Sequence, residues 1–142
     1  MKKFFHIPLI TILFAGVLVT NAQAQPQRVI ANIPFAFSAG KTTLPAGRYT
    51  ITILNPSSDR KILQIRSLNG RSSAVVLTTG IIGNASENAK LVFERYDDRY
   101  VFAQAQMAGD ETTLAAVRSK ADRADKNVAK GSKKSTVVIV AE

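Results

Sequence analysis

The chain has 142 residues, no cysteine, one histidine and a formal net charge of +9. That length holds one domain around one hydrophobic core. Without cysteine there is no disulfide and no thiolate chemistry, so the fold must stand on its core alone.

The first 24 residues read as a removable secretory signal peptide. Lys2 and Lys3 form the positive start, Phe4 to Val19 is almost wholly apolar, and Ala22-Gln23-Ala24 is the small-x-small pattern of a signal peptidase site. Cleavage is expected between Ala24 and Gln25. The apolar run of 16 residues falls short of the ~20 that cross a bilayer, so no transmembrane span is expected after processing. No cysteine follows the run, which excludes a lipid-anchored lipoprotein. The mature protein is therefore expected to be exported, periplasmic or extracellular, with 118 residues and a charge of +7.

Beyond the signal, the chain from Arg28 to Met107 reads as strands divided by turns. Val29 to Phe37 is β-rich, with Pro34 implying an edge strand or a bulge. Arg48 to Leu54 alternates, placing Tyr49, Ile51 and Ile53 on one face and Thr50 and Thr52 on the other. Asn55 to Asp59 is a loop. Asn69-Gly70 signals a hairpin with a type I′ turn. That register pairs Leu63 with Val76 and gathers Leu63, Ile65, Ala74 and Val76 on one face. Apolar residues on both faces predict Ala74 to Leu77 as a central strand. Gly80 to Ala89 reads as a loop. A second hairpin about Asp97-Asp98 pairs Phe93 with Phe102 and Arg95 with Tyr100. Leu91, Phe93, Tyr100 and Phe102 then share the core face, while Glu94, Tyr96 and Arg99 lie on a wetter one.

After Met107 the composition changes. Thr112 to Lys130 is rich in Ala, Lys, Arg and Asp and predicts a helix with a thin apolar stripe of Leu114, Val117, Ala121, Ala124 and Val128. Arg118 to Lys134 carries seven basic and two acidic residues. Gly131 to Lys134 reads as a basic linker, and Thr136 to Val140 as a last strand. That strand completes the domain's own sheet or adds to the edge of another molecule's sheet.

Leu44-Pro45-Ala46-Gly47-Arg48-Tyr49 resembles a tyrosine corner of Greek-key β-sandwiches, with Leu44, Gly47 and Tyr49 as its structural residues. The resemblance implies that the Tyr49 hydroxyl bonds back to the backbone a few residues upstream. The alternative is an ordinary turn followed by a core tyrosine. At larger scale, four segments look like a family of small exported bacterial proteins with no established function. They are Ile33-Pro34-Phe35-Ala36-Phe37, Leu44 to Tyr49, Ala74-Val75-Val76-Leu77-Thr78 and Lys90 to Tyr96. Members of that family usually carry a glycine in the turn where this chain has Asp97-Asp98. The family implies no activity, cofactor or site residue.

Removal of the signal also removes His6, the only histidine. Ser-His and Cys-His catalysis and His/Cys zinc or copper sites are then excluded for the mature chain. No glycine-rich phosphate loop is present. Carboxylate chemistry remains formally open, with Glu94, Asp97 and Asp98 close in sequence and Asp110-Glu111 beyond the hairpin, but Asp97-Asp98 fits a turn better than a catalytic pair. No cofactor is expected. The leading functional candidate is a polyanion contact made by Arg118, Lys120, Arg123, Lys126, Lys130, Lys133 and Lys134. Its expected partners are anionic envelope components or another envelope protein; export argues against nucleic acid.

The expected architecture is a mostly-β antiparallel sandwich, or a small barrel, of about seven or eight strands, with a short helix before a C-terminal strand. Its parts are the signal at 1–24, a β-body at 25–110, a basic helix and linker at 111–134 and a strand at 135–142. The expected role is non-enzymatic binding or structural service in the cell envelope. A small barrel holding an apolar ligand among Phe35, Phe37, Phe93 and Phe102 is the first alternative, and a carboxylate-based hydrolase the second.

Overall fold

The structure, a computed structural model, describes residues 27–118 and 133–142. The signal peptide and its Ala24–Gln25 cleavage site lie outside the described residues. Ten strands follow in chain order: β1 (Arg28–Ile33), β2 (Phe37–Ala39), β3 (Thr42–Leu44), β4 (Gly47–Ile53), β5 (Ile62–Ser67), β6 (Ser73–Ile82), β7 (Ala89–Tyr96), β8 (Arg99–Gln106), β9 (Thr112–Ala116) and β10 (Lys134–Ala141).

The strands form one continuous sheet, consistent with a β-sandwich, whose two halves share one core. β1, β4, β5 and the first half of β6 make one half, all antiparallel. β6 then changes partner. Ser73 to Leu77 pair with β5, whereas Thr78 to Ile82 pair with β9. β9, β8, β7 and β10 continue the second half. On the far side, Ile30 and Glu142 exchange two backbone hydrogen bonds of 2.9 Å, joining β10 to β1.

Period-two burial explains why these residues form strands. Tyr49, Ile51 and Ile53 of β4, Leu63 and Ile65 of β5, and Ala74 and Val76 of β6 all point into the core. Leu91, Phe93, Phe102 and Ala105 meet them from the other half. Fully burying each such aliphatic or aromatic side chain contributes roughly 1.5–3 kcal/mol. Tyr49 and Phe37 bridge the halves edge to face at 5.3 Å.

Both hairpin registers follow the expected pairing. Leu63 lies opposite Val76 and Phe93 opposite Phe102, with a bulge just beyond, between Val92 and Phe93. The first turn differs in kind. A type I′ turn needs positive φ at both central residues, yet only Gly70 has it, at 71°. The chain instead turns over Ser67 to Gly70, closed by Gly70 N–H donating to the Ser67 carbonyl at 2.9 Å. The Asn69 side chain accepts from the Arg71 N–H at 3.0 Å and from the Ser67 hydroxyl at 2.7 Å. Those side-chain bonds hold the register that the backbone turn alone was expected to set.

Three further expectations are corrected. The predicted helix is not formed from Thr112 to Arg118, where Thr112–Ala116 is β9; the rest of that prediction, residues 119–130, lies outside the described residues. As a helix this stretch would bury little beyond Leu114 and Val117. As a strand it buries Leu114 and gains ladder partners on both edges, Gly80 on β6 and Ala105 on β8. Those same partners extend β6 through Gly80 to Ile82, so the expected loop begins at Gly83. The single strand expected from Val29 to Phe37 breaks at Pro34, where β1 ends in one half and β2 begins in the other, parallel to β8. β2 and β3 form a small hairpin whose Gly40 turns at φ 59°, and a Cβ there would stand 3.2 Å from the Val75 carbonyl. Only glycine combines that dihedral with that approach.

Candidate functional site

The expected wetter face of the second hairpin carries the densest charge cluster among the described residues. Glu94 points outward from β7 beside the fully buried Phe93, and its side chain is 17% exposed. Arg118, just past β9, forms an ion pair and hydrogen bond with Glu94 Oε2. Lys134, at the start of β10, places Nζ 2.9 Å from Glu94 Oε1. The Tyr96 hydroxyl donates to Glu94 Oε2 at 2.5 Å and accepts from Arg118 Nη1 at 3.1 Å. The strand pitch explains the convergence. Tyr96 and Glu94 are two residues apart on β7, so they share a face, and Lys134 lies directly across from Tyr96.

Burial alone would push the Glu94 carboxyl up. Hydrogen bonds from Tyr96, Arg118 and Lys134, together with the Arg118 charge, outweigh it and bring the carboxyl down to about 2. Burial likewise works against the Arg118 charge, and the bonds to Tyr96 and Glu94 overcome it, so Arg118 is held more firmly protonated. A carboxylate pinned in this way stays ionised at neutral pH and is a poor proton donor.

The other acidic residues do not gather around it. Asp97 and Asp98 are exposed at the hairpin tip, with Asp97 at φ 51°. Asp110 accepts the Thr112 N–H at 2.8 Å and so caps the entry to β9. Among the described residues no group of three or more His, Cys, Asp or Glu side chains is placed to hold a metal ion.

Of the seven residues expected to contact polyanions, the structure describes three. Arg118 and Lys134 face Glu94, and Lys133 is exposed. Lys120, Arg123, Lys126 and Lys130 lie outside the described residues. The engagement of Arg118 and Lys134 with Glu94 was not read from the sequence. Its sequence signal was only the carboxylate at 94 on the wetter face of β7; the strand order, with β10 beside β7 and β9 beyond β8, is what brings Arg118 and Lys134 to it.

The corner residues meet as their motif implies. The Tyr49 hydroxyl donates to the Pro45 carbonyl at 2.5 Å, Leu44 is buried, and Gly47 opens β4. Burial pushes the Tyr49 phenol up, which keeps it a donor. The four phenylalanines considered as a ligand lining pack on one another instead. Phe93 meets Phe35 and Phe37 at 5.2 Å and Phe102 at 5.8 Å, all edge to face. Phe35 stacks on Tyr100 at 3.8 Å. Such pairs contribute about 0.5–1.5 kcal/mol each beyond area burial.

No family model matches this chain, and no curated protein and no solved structure matches it either. Among the described residues no helix is long and apolar enough to cross a membrane.

Proposed function

We propose that this is an exported, non-enzymatic β-domain of the cell envelope that presents a basic segment to anionic envelope components. One observation carries the reading: Glu94 pairs with both Arg118 and Lys134, which flank the basic segment in the sequence. The body thus fixes both ends of a 14-residue segment with four basic and two acidic residues, 119–132. The resemblance of the Ile33 to Tyr96 motifs to small exported bacterial proteins accords with this reading. Since Arg118 and Lys134 are already paired, the polyanion contact falls to Lys120, Arg123, Lys126, Lys130 and Lys133.

The test is retention of the mature protein on an immobilised acidic polysaccharide across a salt gradient. Five cations close together in sequence give retention that weakens steeply with ionic strength. Replacing Lys120, Arg123, Lys126 and Lys130 by Gln should move elution to markedly lower salt without changing thermal stability. Unchanged elution sinks the reading.

A further inference from the structure

The outward positions of β1, β4, β5 and β6 form a second charged surface on the opposite half of the sheet. Register fixes its layout. Asn32 lies opposite Arg48 in one row, and Leu68, in the hairpin turn, donates its N–H to the Arg48 carbonyl at 3.1 Å. Ile30, Thr50, Arg66 and Ser73 make the next. Arg28, Thr52, Gln64 and Val75 make the third.

Arg28, Arg48 and Arg66 therefore occupy this face, with Arg71 at its end in the hairpin turn; all four are exposed, and none is in an ion pair among the described residues. Arg28 reaches only the Thr50 hydroxyl, at 3.5 Å. Arg66 lies back over the hairpin turn, its Nη2 3.3 Å from where a Cβ on Gly70 would stand. Diagonal neighbours on one sheet face are about 7–8 Å apart, which is the relation of Arg48 to Arg66, with Arg71 beyond them in the hairpin turn. The four strands contain no Asp or Glu. Two carboxylates border the face: Glu142 opposite Ile30, and Asp59 beside Arg60 and Lys61 in the β4–β5 turn.

Next to the arginines runs an apolar row. Leu54 N–H donates to the Ile62 carbonyl at 2.9 Å, Ile62 pairs with Leu77, and Val117 N–H donates to the Leu77 carbonyl at 2.8 Å. Leu54 is 50% exposed, Leu77 42% and Val117 49%, and Val75 beside them is 58% exposed. Contiguous exposed apolar side chains rimmed by cations suit a surface that is oily within and negative at its boundary.

We propose that this face docks on an anionic phospholipid membrane. Leu54, Leu77, Val117 and Val75 enter the headgroup boundary, while Arg28, Arg48, Arg66 and Arg71 pair with lipid phosphates through their guanidinium forks. Charge complementarity selects this occupant over a second copy, whose own arginines would face these.

The test is co-sedimentation of the mature protein with vesicles of phosphatidylcholine alone or containing about one-third phosphatidylglycerol. At about fivefold per cation near such a surface, replacing Arg48, Arg66 and Arg71 by Gln should lower affinity for the anionic vesicles about 100-fold. Wild-type affinity in that triple variant overturns the proposal. So does equal binding to both vesicle types, or arginine-dependent binding to soluble dextran sulfate with none to vesicles. The chain has no tryptophan, so Leu77→Trp supplies a reporter independent of affinity. Its fluorescence should be quenched by vesicles of brominated phosphatidylglycerol, and absence of quenching overturns the proposal. The Lys120/Arg123/Lys126/Lys130 variant distinguishes the two surfaces: it should keep vesicle quenching even if it loses polysaccharide retention.

Discussion

The two outer faces of this sheet carry the same sign of charge and manage it differently. On the β7–β10 side, one carboxylate at Glu94 pairs with both Arg118 and Lys134, and Tyr96 completes the hydrogen bonding. On the β1–β4–β5–β6 side, the strands carry three arginines, joined by Arg71 in the hairpin turn, and no carboxylate. The first arrangement ties parts of the chain together. The second leaves cations free to meet something else. Charge that stabilises a fold is therefore separable here from charge available for binding, and the separation follows the two halves of the sheet.

The largest blow to the second half is deletion of Ser135 to Glu142. It strips β7 of one of its two antiparallel partners and removes the Ile30–Glu142 link. A thermal scan should lose its cooperative transition; a variant that only stops self-associating while keeping its midpoint contradicts this account. Next is Phe93→Ala, directly beneath the Glu94 face. Phe93 is fully buried among three other phenylalanines, so denaturant titration should show a loss of about 3–5 kcal/mol.

Glu94→Gln tests the face itself. Two cations would lose their shared counter-charge, at a cost of roughly 1–3 kcal/mol given partial exposure. The pH dependence has a definite sign. The folded carboxyl lies at about 2 against an ordinary 4.5, so its contribution is complete above about pH 4.5 and is lost as pH falls towards 2. Acid titrations of stability should therefore be flatter in this window for the variant than for the wild type. Tyr49→Phe, under the arginine half, removes the bond to Pro45 and should cost about 1 kcal/mol by chemical denaturation. The smallest effect belongs to Arg48→Gln. An exposed, unpaired arginine should alter stability by less than about 0.5 kcal/mol. A loss near that of Glu94→Gln would erase the distinction between the faces.

Much of this was legible wherever one residue's neighbours lie within a hairpin. The pairings of Leu63 with Val76 and Phe93 with Phe102 follow from local alternation and turn position, because a one-residue slip would expose every core side chain. The turn geometries were less legible, since Asn69 and Ser67 substitute side-chain bonds for backbone preference. β9 was misread because its Ala- and Thr-rich run has no strong period of its own. Its strand form depends on β6 and β8, which approach it from distant parts of the sequence. The Glu94 cluster was hidden for the same reason: its members, 94, 96, 118 and 134, meet only through the order of strands in the sheet. The arginine face was visible in principle, as Arg28, Arg48 and Arg66 each occupy an outward strand position, but only the assembled rows show that no carboxylate answers them.

The two hydrogen bonds between Ile30 and Glu142 carry a kinetic consequence. They unite the first and last strands, the longest sequence separation in the molecule, and such contacts form late because the loop they close is entropically costly. A chain made from its N-terminus onward completes β1 early and β10 last. Until then β1 has one unpaired edge, and β7 has another that ends in the Phe93 cluster. The protein therefore passes through an interval in which its core is gathered but its seam is open, and that interval is where pairing with a neighbour rather than with itself would begin.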